Sequence, residues 1–192
     1  MNIITDELCD SVEFKGKMYP VKTDFKVWLK FHQIVTDKSK NSAEKSTSCI
    51  LCCFDSKRCK RLPDTLEDTM EVLFKFFAAT SSKKNGKKGK KCKKVFDFTE
   101  DSEYIYSSFF QEYGIDLAKT NMHWYSFLAL LNGLSENTRL GKIIAWRSVD
   151  LSKIEDPKRR DFYRKMKNLY KLESSDERLT EVNIADEISR AF

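Results

Sequence analysis

One stretch limits what this chain can fold into more than any other. Between Ser81 and Lys94 there is no apolar periodicity, and eight lysines crowd together: Lys83, Lys84, Lys87, Lys88, Lys90, Lys91, Lys93 and Lys94. Like charges repel, nothing there can be buried, and Gly86 and Gly89 loosen the backbone further. The stretch is expected to stay disordered and to tether two folded parts, residues 1–80 and 95–173, with a tail at 174–192. It also holds the charge. Removing those eight from the 35 basic residues leaves 27 against 29 acidic ones, so the parts on either side are close to neutral.

Those parts read as mainly α. Glycine and proline number only 6 and 3, too few for the turns of a sandwich or barrel, and 41% hydrophobic residues exclude a wholly disordered chain. The N-terminus is expected to start with a small hairpin. Val12 and Phe14 alternate, Lys15-Gly16 turns, and Tyr19 and Val21 alternate on a return strand that Pro20 confines to an edge. A helix follows, capped by Thr23 or Asp24, with Phe25, Trp28, Leu29, His32 and Val35 on one stripe. After a polar loop from Asp37 to Ser46, the run from Cys49 to Phe54 predicts a short buried helix. Pro63-Asp64 opens another, with Leu66, Met70, Leu73 and Phe77 along one face, fading near Thr80.

Four helices in a small bundle are expected after the tether. Thr99 caps the first, whose stripe is Ser102, Ile105, Tyr106, Phe109, Phe110 and Tyr113 and whose stop is Gly114 in the left-handed region. Asn121 caps the second, with Trp124, Phe127, Leu128 and Leu131 on its stripe and Gly133-Leu134 as a like stop. Ser135 starts the third, with Leu140, Ile143 and Ile144. Asp156-Pro157 starts the fourth, with Phe162, Met166, Leu169 and Tyr170 as its core face. The last segment, Thr180 to Phe192, is weakly amphipathic through Val182, Ile184 and Ile188, and predicts a short helix.

Candidates for chemistry are few, and no enzyme is expected. Cys49, Cys52, Cys53 and Cys59 could offer thiolates to zinc. However, Cys-x-x-Cys-Cys on a helix puts three sulfurs on one face, and the paired knuckles of zinc sites are missing, so core packing is the better use. His32 and His123 lack a neighbour spaced for a triad or a metal pair. No cofactor or metal is implied. The N-terminus resembles no signal peptide, and no run approaches the roughly 18 apolar residues that span a bilayer. Six cysteines then read as reduced thiols of a cytoplasmic protein with no membrane contact.

Binding is what remains. The lysine tract could contact phosphates, without sequence specificity, or serve as a solvated linker; it has no aromatic residue on which a base could stack. Arg147 continues the Leu140–Ile144 stripe, so its guanidinium is expected near the domain's edge or interior; if buried it needs a carboxylate, with Asp150 and Asp116 as candidates. A structural ion pair and a partner-binding arginine are both open. Trp28, Trp124, Tyr125 and Trp146 are candidates for partner grooves, with core burial the commoner use of large aromatics on helix stripes.

Several segments together resemble the bacteriophage gp-fifteen family. They are Tyr113-Gly-Ile-Asp-Leu117, Met122-His-Trp124, Phe127, Leu130-Leu131, Gly133-Leu134, Thr138, Leu140, Ile143-Ile144, Arg147 and Asp150-Leu151. Phe96-Asp97-Phe98, Tyr104-Ile105-Tyr106, the run closing on Tyr170, and Tyr19 with Thr23-Asp24-Phe25 and Trp28 fit as well. The resemblance implies a tail-morphogenesis protein of phages and prophages of Gram-positive hosts, encoded just before the tape-measure gene. That position is shared with helical chaperones that coat the tape-measure protein. It implies no catalytic residues. The expected function is a non-catalytic tail-assembly protein that binds the tape-measure or another tail protein in the host cytoplasm. A basic nucleic-acid-binding accessory protein and a minor virion subunit are the alternatives. The Cys49–Cys59 cluster, the lysine tether and the extension beyond Leu172 depart from the family pattern.

Overall fold

A computed structural model describes residues 2–78 and 94–173 of the chain. Residues 79–93 and 174–192 lie outside the described residues, so the disorder expected over 81–94 is not addressed there except at Lys94, nor is the short helix expected in the tail. The described residues are mainly helical, with one two-stranded antiparallel hairpin. They group into two compact units, 2–78 with 121–129, and 94–120 with 130–173.

In the first unit, β1 (Ser11–Phe14) pairs with β2 (Lys17–Pro20) in the register Val12 to Tyr19. Lys15 and Gly16 both have positive φ, 50° and 73°, as the tightest hairpin turn requires. Pro20, with no N–H to donate, falls at the strand's end. Helix α1 (Phe25–Thr36) is capped by Asp24, whose carboxylate accepts from the Lys26 amide. Its buried face takes in Phe31 and Ile34 beside Phe25, Trp28 and His32, while Leu29 and Val35 are only half-buried. Helix α2 (Ser42–Cys53) starts inside the expected polar loop. Asn41 and Glu44 form a reciprocal capping box there, a side-chain signal that outweighs the missing apolar stripe. Only Cys49 and Cys53 of α2 are buried and Leu51 is 75% exposed, so the expectation of an all-round buried helix is corrected. Helix α3 (Leu66–Ala78) buries Val72, Leu73, Phe76 and Phe77.

The second unit holds α4 (Ser102–Tyr113), α6 (Arg139–Ser148), α7 (Pro157–Leu169) and the last turn of α5 (Trp124–Asn132). Thr99 is not the cap of α4. Asp97 accepts from the amides of Thr99 and Glu100 and shapes a turn ahead of the helix, which then begins at Ser102. Gly114 stops α4 at φ 67°, as expected. Gly133 is not in the left-handed region, and its amide donates to Leu130 O in a tighter closing turn. The cap of α6 is Thr138 rather than Ser135: its hydroxyl accepts from Gly141 N, while the Ser108 hydroxyl accepts from Leu140 N. Two amides at that helix start are thus satisfied by buried side chains. Asp156 caps α7 ahead of Pro157, as expected.

Candidate protein-binding surface

Three of the four aromatic candidates are interior. Trp28 and Trp124 are fully buried and Tyr125 nearly so. Trp28 stacks on Phe76 at 4.6 Å, Phe77 on Trp124 at 5.0 Å and Phe76 on Tyr125 at 4.8 Å. Their polar tips are used as well. Trp124 Nε1 donates to Phe77 O at 3.0 Å and Tyr125 OH to Phe76 O at 3.2 Å, so two side chains from distant sequence serve carbonyls in the last turn of α3. Residues 95–173 are expected from sequence to form one part; this cap and the pairing of Trp124 N with Thr23 O draw 121–129 to residues 2–78 instead.

Asn121 does not cap α5. His123 does: its Nδ1 accepts from Tyr125 N at 3.1 Å, and its Nε2 donates to Cys9 O at 3.0 Å. Only the neutral ring with its proton on Nε2 can make both bonds. Burial, set against the bond to Cys9, lowers the His123 pKa from its ordinary value. His32 lies flat against Phe77, 6.3 Å between centroids. Both histidines have structural positions.

Arg147 is a clamp. Its Nη1 and Nη2 reach the two oxygens of Asp101 at 2.6 and 2.9 Å, its Nε donates to Tyr170 O at 2.6 Å, and Nη1 also donates to Val95 O at 3.0 Å. Both side chains are nearly inaccessible, at 8% and 1%. The carboxylate is therefore neither of those expected. Asp150 caps the 3-10 turn Leu151–Lys153 through Ser152, and Asp116 accepts from Tyr106 OH. The single guanidinium joins the chain just after the tether, the start of α4, α6 and the end of α7. Lys94 is part of the same corner rather than of a solvated tract, pairing with Asp97 at 2.5 Å. The other seven lysines of the tract lie outside the described residues.

The cysteines gather no metal site: no group of three or more candidate ligands occurs among the described residues. Cys49 and Cys53 are buried, and Cys9, Cys52 and Cys59 half-buried, all as free thiols. The Cys52 thiol is brought down to about 6 by its hydrogen bond with Cys53 and, against burial, by Lys22 and Lys30. The same bond and burial push Cys53 up.

What faces outward is α7. It packs against α6 and the 3-10 turn, yet none of its residues is buried. The expected core residues Phe162 and Leu169 are 49% and 68% exposed, and Met166 and Tyr170 half-buried. The physical reason is polar. Arg160 turns inward to Ile154 O at 2.9 and 2.6 Å, and Lys167 to Val149 O at 2.7 Å, serving carbonyls where the 3-10 turn and α6 end. With those two side chains inside, the Phe162–Leu169 stripe must face water, and Lys158 and Lys165 are exposed beside it. At the margin, half-buried Trp146 stacks on Tyr170 at 5.1 Å, and the Arg139 guanidinium lies over both rings. Phe110 on α4 is a further exposed aromatic, at 57%. Periodicity alone does not find this surface, because an apolar stripe of this spacing reads as a core face.

This is a mainly α fold opening on a hairpin, with no helix among the described residues long and apolar enough to cross a membrane. A family model described as Bacteriophage Gp15 protein matches residues 4–172, spanning every described element. The chain belongs to that bacteriophage family. Neither a curated protein nor a solved structure matches it.

Proposed function

We propose that this phage protein is a non-catalytic tail-assembly factor, a chaperone-like binder of the tape-measure protein in the cytoplasm of the host. The observation that carries the reading is the outward apolar stripe of α7. Burying a large apolar side chain is worth about 1.5–3 kcal/mol, so a partner segment covering Phe162 and Leu169 gains affinity that the isolated chain leaves unused. A long tape-measure chain with apolar helical stretches needs such cover before it polymerises, and an amphipathic helix laid along an apolar face is a common way to supply it. The basic flank from Lys158 and Lys165 favours partner segments with acidic margins.

The test is co-expression with the tape-measure protein of the same phage, followed by affinity purification at high salt with nuclease. A soluble, stoichiometric complex is expected, because apolar contacts survive salt that screens charge. Recovery of this chain alone, with the tape-measure protein insoluble, overturns the proposal.

A further inference from the structure

Four of the five residues 57–61 are basic, Lys57, Arg58, Lys60 and Arg61, and the turn that carries them is held against the hairpin. Asp55, just after α2, folds the turn. Lys57 N donates to Asp55 Oδ1 at 3.0 Å, while Arg58 N and Cys59 N donate to Asp55 O at 3.0 and 2.7 Å. Val21 pairs with Phe54 in an antiparallel bridge, and Arg58 Nη1 reaches Asp10 Oδ2 at 2.7 Å. Both contacts fix the basic turn beside the open end of the hairpin.

A cavity of about 350 Å³ lies between the turn and β2, near the lower end of the roughly 300–1,000 Å³ of small-ligand sites. Lys17, Met18 and Pro20 line one side, and Arg58, Lys60 and Arg61 the other. Val12 and Tyr19 are opposite one another and buried, so Met18 and Pro20, on either side of Tyr19, face outward as an apolar floor. Met18 is 58% exposed there. No carboxylate lines the cavity, and Glu13, opposite Met18 in the register, is not part of it. Arg58 is paired with Asp10 and Arg61 with Asp64, whereas Lys17 and Lys60 form no ion pair among the described residues. Two of the four positive charges are therefore uncompensated.

That charge favours one anion over another. A phosphate monoester carries about −1.5 to −2 at neutral pH and a carboxylate only one charge, so the phosphate gains more from two free cations. The guanidinium forks that would clamp a carboxylate are already engaged, and the free ammoniums are point charges of the kind that hold phosphate. The apolar floor offers contact to a flat ring attached to it.

We infer that this cavity binds a nucleotide through its terminal phosphate, whether the nucleotide is free or at the 5′ end of a strand. Lys17 and Lys60 hold the phosphate, with Arg58 and Arg61 adding field, and the base lies on Met18 and Pro20. The site is in the first unit and uses no residue of α7, so it stands or falls apart from tape-measure binding.

Amide-resolved NMR of the isotopically labelled full chain at low salt tests this, because it separates the cavity from the lysine tract. Thymidine monophosphate or a 5′-phosphorylated oligothymidylate should shift the amides of 17–19 and 57–61 saturably. A response to the mononucleotide supports a free nucleotide as the source, and a response to the oligonucleotide alone supports a strand end. Lys17→Glu with Lys60→Glu, both exposed, should weaken binding several-fold without moving the melting temperature. Met18→Ser should weaken nucleotide binding several-fold and leave the response to inorganic phosphate unchanged. No saturable shift with either nucleotide, or an affinity indifferent to the lysine pair or to Met18→Ser, would overturn the inference. So would equal affinity for inorganic phosphate, which would leave an ion site only, or for a tetraglutamate peptide, which would make an acidic peptide the ligand.

Discussion

At the scale of single residues, Arg147 and His123 hold positions that neighbouring sequence does not reveal. Arg147 lies 46 residues from its carboxylate, and Asp101 sits at a helix start where dipole and capping rules already give an acid a reason to be. Spacing along one helix could only offer nearby acids such as Asp150. The stripe of Arg147 placed it at the edge or the interior without deciding between them, and did not give its partner. Replacing Arg147 with Met strands a buried carboxylate and should cost about 3–5 kcal/mol, while the double replacement with Asp101→Leu should recover much of it. Chemical denaturation of Arg147→Met, Asp101→Leu and the double variant checks this. His123 makes a pH prediction. Its folded pKa is depressed, so the unfolded chain takes up the proton first as pH falls through about 6.5, and stability falls with it. Protonation also removes the Nδ1 acceptor that caps α5. Melting temperature should drop on acidification below that point, and His123→Gln should flatten that part of the profile.

At the scale of elements, helix existence was largely legible and helix orientation less so. Aspartate followed by proline marked the start of α7, and Gly114 marked the end of α4. The hairpin followed from alternation around Lys15-Gly16. Orientation failed where polar demands outranked apolar ones. In α7, carbonyls left by α6 and by the 3-10 turn required Arg160 and Lys167, and that requirement turned Phe162 and Leu169 outward. The start of α2 was missed for a related reason, since its Asn41–Glu44 box precedes any apolar residue of a stripe. Phe162→Ser and Leu169→Ser should each shift unfolding free energy by no more than about 0.5 kcal/mol, as exposed positions do. Lys167→Met, which removes a charged donor from Val149 O, should cost about 1.5–3 kcal/mol. Urea denaturation separates the two, and an equal cost for all three would refute this orientation of the helix.

For the molecule as a whole, the lysine tract does not indicate which segments pack together. Residues 121–129 belong with 2–78 because Trp124 and Tyr125 serve carbonyls of α3, and no local pattern carries that information. Three of the aromatic candidates are consequently core, and the surface best suited to a partner is one that periodicity had placed inside. The chain belongs to a bacteriophage protein family, and the α7 face is the basis for reading it as a binder. The most direct measurement is the soluble yield of tape-measure protein co-expressed with the native chain and with the Phe162→Ser, Leu169→Ser double variant. The account predicts a soluble complex with the native chain and its loss with an equally stable variant. Equal solubility with both, or insolubility with both, would contradict it.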